Sequence, residues 1–263
     1  MASKRKLSNL SLASLAVLIG LMLYGGYHYH ADKRAREEGE FGEKVRGYLL
    51  AHPQVLREVI AELKKQDMAA AEAEQRAKLA AVSSDLTHDP DSFVAGNPNG
   101  DVTIVEFFDY RCGYCKQSYP DVMKTVAEDG NIRLVLKEFP ILGDQSVMAT
   151  KAALAAGQQN KYIELHDALM AAHGSFSKER IIGIAGSLGI DTEKLAADME
   201  DPKIHDIVSK NYALATKLGI NGTPAFVVGN HFVPGVVSAE DLKAFVASAR
   251  ETAAKSPETD TKT

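Results

Sequence analysis

The segment Val102-Thr-Ile-Val-Glu-Phe-Phe-Asp-Tyr-Arg-Cys-Gly-Tyr-Cys115 joins a short apolar run to two closely spaced cysteines. Its first seven residues are mostly β-branched or aromatic, which is typical of a central strand buried on both faces. A helical pattern with Val122, Met123 and Val126 follows and ends at Gly130. The segment therefore predicts a strand, a short loop, the cysteine pair and a helix, in that order.

Three further strands are predicted around this unit, at residues 132–139, 225–228 and 231–233, with a Gly229-Asn230 turn between the last two. Residues 144–218 have the pattern of several helices, and Asp191 and Asp201 are suited to cap two of them. A helix at residues 242–249 closes the pattern. The sequence therefore predicts an α/β fold in which a helical insertion interrupts the sheet.

Composition and charge exclude one large class of function. The chain has 263 residues, of which 45% are hydrophobic and 25% charged, and its formal net charge is -5. Acidic and basic residues are mixed along most of the chain, so no basic surface for nucleic acid is predicted. The only cysteines are Cys112 and Cys115. Whatever chemistry they perform, they perform together.

The N-terminus has the pattern of an export signal or a membrane anchor. Lys4, Arg5 and Lys6 precede an almost uncharged stretch at residues 7–27, whose length as a helix, about 31 Å, matches the core of a bilayer. No small-x-small cleavage site follows it. We expect residues 1–30 to form an uncleaved anchor with a cytoplasmic tail, which places the remaining chain in the periplasm. A soluble periplasmic protein after signal cleavage is the alternative.

Residues 31–84 are predicted to form a helical stalk. One helix is expected at about residues 42–51, and Pro53 is suited to the first turn of a second helix. An apolar stripe follows one face at helical spacing and continues through alanines; its large members are Val45, Leu49, Leu56, Val59, Ile60 and Leu63. A single helix cannot bury that stripe, which favours self-association into a dimer or trimer, with a solvated spacer as the alternative.

A cluster of polar residues at 83–90 marks the predicted domain boundary, so the catalytic domain is expected at residues 85–250. Residues 251–263 are polar and contain no large apolar side chain. We expect this tail to be disordered.

The two cysteines suit thiol-disulfide exchange. At a helix N-terminus, Cys112 would meet unpaired N–H groups and the positive end of the helix dipole, which favour thiolate over thiol. Cys115 lies one turn further on and can attack a mixed disulfide on Cys112. A structural disulfide is the weak alternative, because so small a loop contributes little stability. Metal binding is the stronger one, since two thiolates can hold Cu(I) or Zn(II), although a closed zinc site needs four ligands.

Glu106 lies within the apolar strand, where burial should raise its pKa. It could relay the proton of Cys115. The alternative is a structural ion pair with a lysine such as Lys137, and Asp109, on the opposite face of the strand, is a weaker candidate for the relay.

Residues 106–115, the helical insertion and Gly222-Thr-Pro-Ala-Phe226 together resemble the DsbA family of thioredoxin-fold oxidoreductases over about residues 91–250. The resemblance implies a thioredoxin fold, a buried acid at Glu106 and a cis-proline loop, Thr223-Pro224, that faces Cys112 and binds substrate. The segment at residues 42–60 further resembles the suppressor-of-copper-sensitivity protein C (ScsC) branch, whose members oligomerise through it.

Gly113 and Tyr114 are expected to tune the redox pair. The most oxidising family members carry proline and histidine there, so we expect a weaker oxidant. We predict a periplasmic disulfide isomerase or reductase whose only redox group is the Cys112–Cys115 pair, with no cofactor and no metal; the alternatives are a dithiol oxidase and a copper or thiol-metal binding protein. Exported cysteine-containing proteins are the expected clients, and a membrane protein is expected to recycle the pair.

Overall fold

The computed structural model describes residues 4–255, except the side chains of residues 4–16, 31 and 35. It contains two compact units that meet at Ala70 and Ala71. The N-terminal unit consists of helix α1 (Lys4–Ala51) and the first part of α2 (Pro53–Ala81). The break between the helices lies at His52, and Pro53 opens α2, where its missing N–H is not needed. This is the helix start predicted from the sequence.

Within the described part of the chain, no helix is long and apolar enough to cross a membrane. The anchor was predicted at residues 7–27, and the side chains of its first part, up to residue 16, lie outside that description. The anchor therefore receives no support from the structure and stays a prediction.

The C-terminal unit is built on a five-stranded sheet. Its strands are β1 (Phe93–Gly96), β2 (Val102–Phe108), β3 (Ile132–Glu138), β4 (Ala225–Val228) and β5 (His231–Pro234), in the order β1-β3-β2-β4-β5. The pair β2–β3 is parallel and the other pairs are antiparallel. The sequence correctly predicts four of these strands. It misses β1, whose four residues include a glycine and give too short a pattern to recognise.

Helices cover both faces of the sheet. Helix α3 (Ser83–Thr87) precedes β1, α4 (Gly113–Asp129) connects β2 to β3, and α10 (Ala239–Lys255) follows β5. The insertion between β3 and β4 is entirely helical: α5 (Asp144–Gly157), α6 (Tyr162–Ala171), α7 (Lys178–Ser187), α8 (Thr192–Asp198) and α9 (Pro202–Leu218). The predicted caps Asp191 and Asp201 each accept hydrogen bonds from the first N–H groups of α8 and α9.

Two apolar clusters lie on opposite faces of the sheet. Ile104 and Phe108 of β2 pack with α4, the insertion and α10, whereas Val105 and Phe107 pack on the other face with the end of α9. Leu79 and Val82, which precede the predicted domain boundary, are buried in this second cluster. The boundary at 84–85 stays a prediction, but the apolar packing of the C-terminal unit begins before it, at Leu79.

Helix α10 extends further than the sequence predicts. It was expected at residues 242–249, with a disordered tail from 251, yet the helix continues to Lys255. Leu242 and Val246 anchor it to the sheet, and Arg250 makes ion pairs with Asp101 and Asp129 at 2.8 and 2.7 Å. The prediction that the tail is disordered is therefore wrong for residues 251–255, and residues 256–263 lie outside the described part of the chain.

Candidate active site

Cys112 occupies the N-cap position of α4. Its backbone is extended, with φ -71° and ψ 115°, its N–H donates to Asp109 O at 3.0 Å, and its carbonyl accepts from Lys116 N at 3.2 Å. The first N–H groups of α4 have no partner within the helix, so they are available to the Cys112 sulfur. Both cysteines are free thiols.

The two sulfurs differ sharply in acidity. The pKa of Cys112 is lowered to about 5, first by a hydrogen bond from Cys115 and then by the Thr223 side chain and the N–H groups of Cys115 and Tyr114, while burial opposes the shift. Burial raises the pKa of Cys115, and the negative charges of Cys112 and Glu106 raise it further. Cys112 is 6% exposed and Cys115 fully buried. The arrangement suits Cys112 as the nucleophile and Cys115 as the internal thiol that resolves a mixed disulfide.

The loop between α9 and β4 contacts the Cys112 sulfur. The Cys112 thiol donates to the carbonyl of Thr223 at 3.2 Å, and the Thr223–Pro224 peptide bond is cis, the isomer that the resemblance implies. The antiparallel register Phe107↔Ala225 brings this loop to the end of β2, beside the cysteines. Cys112 and Thr223 are more than one hundred positions apart in the sequence, and the pairing of β2 with β4 brings them together.

Glu106 points into the core beneath the cysteines. It shares a face of β2 with Ile104 and Phe108, the face that α4 covers, and is fully buried. Neither carboxylate oxygen has a hydrogen-bond partner among the described residues. Burial, and secondarily the charge of Cys112, raises the pKa of Glu106 to about 8. A buried carboxyl group with such a pKa can exchange a proton near neutral pH.

Lys137 is not the partner of Glu106. It lies on the other face of the sheet, opposite Phe107, and its ammonium group contacts Asp89 Oδ2 at 2.7 Å and the Asp85 carbonyl at 2.8 Å. The alternative of a Glu106–Lys137 ion pair is therefore wrong: Lys137 pairs with Phe107, the neighbour of Glu106, and successive residues of a strand face opposite sides of the sheet.

Asp109 positions the loop that precedes the cysteines. Its carboxylate accepts from Arg111 N at 2.7 Å, from Ser146 Oγ at 2.8 Å and from Leu142 N at 3.0 Å. These bonds hold the loop against the start of α5. The sequence supports only a weak proton-relay role for Asp109 and does not indicate this positioning role.

Glu138 is a second buried acid that sequence reasoning missed. It ends β3 and accepts hydrogen bonds from three hydroxyl groups, those of Tyr110 and Tyr162 at 2.9 Å and of Thr150 at 2.7 Å. The donors belong to the cysteine loop, to α6 and to α5. Burial raises the pKa of Glu138 to about 8 despite these bonds. A charged residue inside an apolar strand was its only sequence signal, the same signal that identified Glu106.

The two residues between the cysteines lie at the surface. The Tyr114 side chain is 66% exposed, and among the described residues beyond its own stretch of chain a Cβ added to Gly113 would meet nothing within 4 Å. They therefore lie where a protein partner can contact them. Within the described part of the chain, no group of three or more His, Cys, Asp or Glu residues is arranged to hold a metal ion.

A sheet with a cysteine pair at a helix N-terminus, facing a cis-proline loop, defines the class of thioredoxin-fold thiol-disulfide oxidoreductases. The model of the DsbA-like thioredoxin domain matches residues 103–247, which is more than half of the chain, and the chain belongs to this family. Its fold is the α/β thioredoxin-like fold. A second model, the N-terminal domain of the copper resistance protein ScsC, matches residues 37–70.

Relatives of known sequence or structure agree with this assignment. The thiol:disulfide interchange protein DsbA of Bordetella parapertussis is 28% identical, over 53% of this chain and 69% of its own. A thioredoxin-like oxidoreductase from Silicibacter pomeroyi is 48% identical, covering 64% of this chain and 97% of its own, with a TM-score of 0.63. A linker-deletion mutant of Proteus mirabilis ScsC is 27% identical, covering 82% of this chain and 95% of its own, with a TM-score of 0.64.

The chain also matches part of some much longer proteins. The Na+/H+ antiporter NhaA 1 of Salinispora arenicola is 32% identical over 61% of this chain, but the match spans only 25% of the antiporter. The chain therefore covers about a quarter of the length of the antiporters it matches.

Proposed function

We propose that the protein exchanges disulfides in exported proteins through Cys112 and Cys115, and that it works as a disulfide isomerase or reductase. The observation that carries the proposal is the position of Cys112 at the N-terminus of α4, where its pKa is lowered to about 5. At neutral pH such a cysteine is a thiolate, which is the attacking form in disulfide exchange.

The reaction proceeds in two steps that conserve electrons and protons. The Cys112 thiolate attacks one sulfur of a client disulfide, the client S–S bond breaks, and the other client sulfur leaves as a thiolate. Once Cys112 is in the mixed disulfide, its negative charge no longer raises the pKa of Glu106; Cys115 then loses its proton to the ionised form of Glu106 and attacks the Cys112 sulfur. The mixed disulfide breaks, the client leaves reduced, and the Cys112–Cys115 disulfide holds the oxidised state. In isomerisation a client thiolate displaces Cys112 instead, and the enzyme stays reduced.

The site surroundings support the remaining assignments. Thr223 and Pro224, beside the sulfur, are proposed to hold an extended client segment, while Gly113 and Tyr114 set the redox potential. The cysteine pair itself is the redox group, and the proposal requires no cofactor or metal.

Clients are cysteine-containing proteins in the periplasm, and a membrane protein recycles the pair. An anchor at residues 1–30 stays part of the proposal, with a soluble periplasmic form as its alternative.

We further propose that the stalk makes the protein a dimer or trimer. Val45, Leu56, Val59, Ile60 and Leu63 are between 39% and 53% exposed, although all are large and apolar. A row of such side chains on one helical unit favours association with other copies. Several cysteine pairs around one misfolded client favour isomerisation, because a released client segment is captured again by a neighbouring site.

The proposal is tested by measuring the activity that scrambled ribonuclease regains in the presence of the protein. The reduced full chain is compared with Cys112→Ser, with Ile60→Glu on the apolar row, and with Glu58→Gln as an exposed control on the same helix. Light scattering gives the size of each variant. Recovery that needs Cys112 and falls in monomeric Ile60→Glu supports an oligomeric isomerase. Rapid oxidation of a reduced client by the disulfide form, without recovery of scrambled protein, identifies an oxidase.

A further inference from the structure

Lys116 follows Cys115 in the first turn of α4, and its partly buried side chain reaches the end of another helix. Its ammonium group donates to the carbonyls of Leu169 at 2.6 Å and Met170 at 3.0 Å. Both carbonyls belong to the last turn of α6, where helix geometry leaves them without a partner inside the helix. A cation at this end also meets the negative pole of the helix dipole. Lys116 therefore caps α6 from the active-site helix.

The contact joins the redox pair to the helical insertion. Of the two elements it links, α4 carries both sulfurs at its N-terminus and α6 is the second helix of the insertion. The Phe176 ring, in the loop after α6, lies 5.3 Å from the ammonium group and 5.7 Å from the guanidinium of Arg180. These bonds and ring contacts restrict where the ammonium group can lie.

The ammonium group interacts with both sulfurs of the redox pair, with that of Cys115 more strongly than with that of Cys112. Burial lowers the pKa of Lys116 to about 8, and the negative groups nearby oppose that shift. The pKa of His166 on α6 is lowered to about 3, by burial and then by Lys116, so its imidazole is neutral at pH 7. The titratable and charged groups that interact with the ammonium group are Asp109 and Cys112 from the cysteine loop, Cys115 from α4, His166 from α6 and Arg180 from α7.

We propose that Lys116 is a positioning residue of the redox pair, which ties the first turn of α4 to the end of α6 and electrostatically stabilises the Cys112 thiolate. Neither Gly113 nor Tyr114 carries a positive charge, so Lys116 supplies the cation near the Cys112 sulfur. The inference rests on the proposed thiol-disulfide exchange and adds a residue outside the Cys-x-x-Cys motif that controls it. The position of the insertion is then coupled to the reactivity of the nucleophile.

Three substitutions separate the charge of Lys116 from its hydrogen bonds. Lys116→Met removes both, Lys116→Gln keeps a donor without the charge, and Lys116→Arg keeps the charge. Lys124→Met is the matched control, because Lys124 lies on the same helix, is 65% exposed and pairs only with Glu128 in the described structure. Each substitution is made in the full chain, and folding is checked by circular dichroism.

The experiment measures the pKa of Cys112, by thiolate absorbance and by the pH dependence of iodoacetamide alkylation, and the equilibrium with glutathione. In Lys116→Met and Lys116→Gln we expect the Cys112 pKa to rise by roughly half to one unit, so alkylation at pH 4.5 falls about three- to eightfold. The disulfide form also becomes less oxidising, since the reduced form loses stabilisation. Lys116→Arg and Lys124→Met should keep wild-type values.

A merely structural Lys116 would change thermal stability and leave the Cys112 pKa in place, and that result overturns the inference. If Lys116→Met does not fold, Lys116→Gln supplies the same comparison. Failure of the proposed function is seen separately, in the wild-type chain: a Cys112 that is not acidic and does not exchange disulfides would contradict the proposed reaction itself.

Discussion

Replacing Glu106 with glutamine should make the reduced protein more stable at neutral pH. Glu106 is fully buried without a hydrogen-bond partner among the described residues, and its pKa is raised from an ordinary 4.5 to about 8. The folded protein therefore holds the proton more tightly than the unfolded chain does. Stability from this group is fully present below pH 4.5 and is lost as pH rises toward 8.

The size of the effect follows from the two pKa values. At pH 7 the unfolded chain has released this proton almost completely, and the folded state still keeps about nine-tenths of it. This difference in proton binding between the folded and unfolded states lowers the free energy of unfolding at pH 7 by about 3 kcal/mol relative to pH 4. Glutamine has the same shape and no proton to release. Glu106→Gln should therefore exceed the wild type by up to about 3 kcal/mol at pH 7 and by much less at pH 4.

Denaturant unfolding of both proteins, reduced, at pH 4 and pH 7 measures this difference. Comparing variant and wild type at each pH cancels the other titrating groups, and Glu58→Gln, an exposed change on α2, controls for substitution of a glutamate in general. A gain that is equal at both pH values, or absent at pH 7, would refute the reasoning, since it would mean that Glu106 titrates normally in the folded protein.

The same variant should release clients slowly. General-base assistance contributes about 10²-fold or more, so we expect Glu106→Gln to slow the attack of Cys115 on a mixed disulfide by about 10²-fold at pH 7. The attack of Cys112 on a client should continue, because Glu106→Gln removes a negative charge that interacts unfavourably with its thiolate. Rapid mixing with a peptide disulfide resolves the two steps. Equal slowing of both would contradict a proton-relay role for Glu106.

Three further predictions concern the sulfurs and the buried network. Alkylation of reduced Cys112 should reach half its maximal rate near pH 5, and half-maximal alkylation near pH 8 would rule out an activated thiolate. Cys115→Ser should accumulate a mixed disulfide with clients, which mass spectrometry can detect. Tyr162→Phe removes one of the three hydroxyl groups that donate to Glu138 and should lower the free energy of unfolding by about 1–3 kcal/mol in denaturant titrations, whereas an unchanged value would show that Glu138 does not depend on this bond.

Much of the catalytic unit was predictable because its signals are local. The apolar run before Cys112 predicts β2, and the helical pattern after Cys115 predicts α4, since both depend on residues within a few positions of each other. The break at Pro53 and the caps Asp191 and Asp201 follow from the backbone chemistry of single residues. Strand β1 and the end of α10 were missed because their stability comes from pairing and ion pairs with distant residues.

The sequence by itself determined the order of strands β2 to β5 with the helices between them, the cysteine pair at a helix N-terminus and the acid placed within β2. Tertiary structure alone decided the partners of these groups. Among the described residues it left Glu106 unpaired and directed Lys137 to Asp89, because successive residues of a strand face opposite sides of the sheet. It also brought Thr223 and Lys116 to their places beside the redox pair and at the end of α6. Such contacts depend on strand register and helix packing, which join residues far apart in the chain.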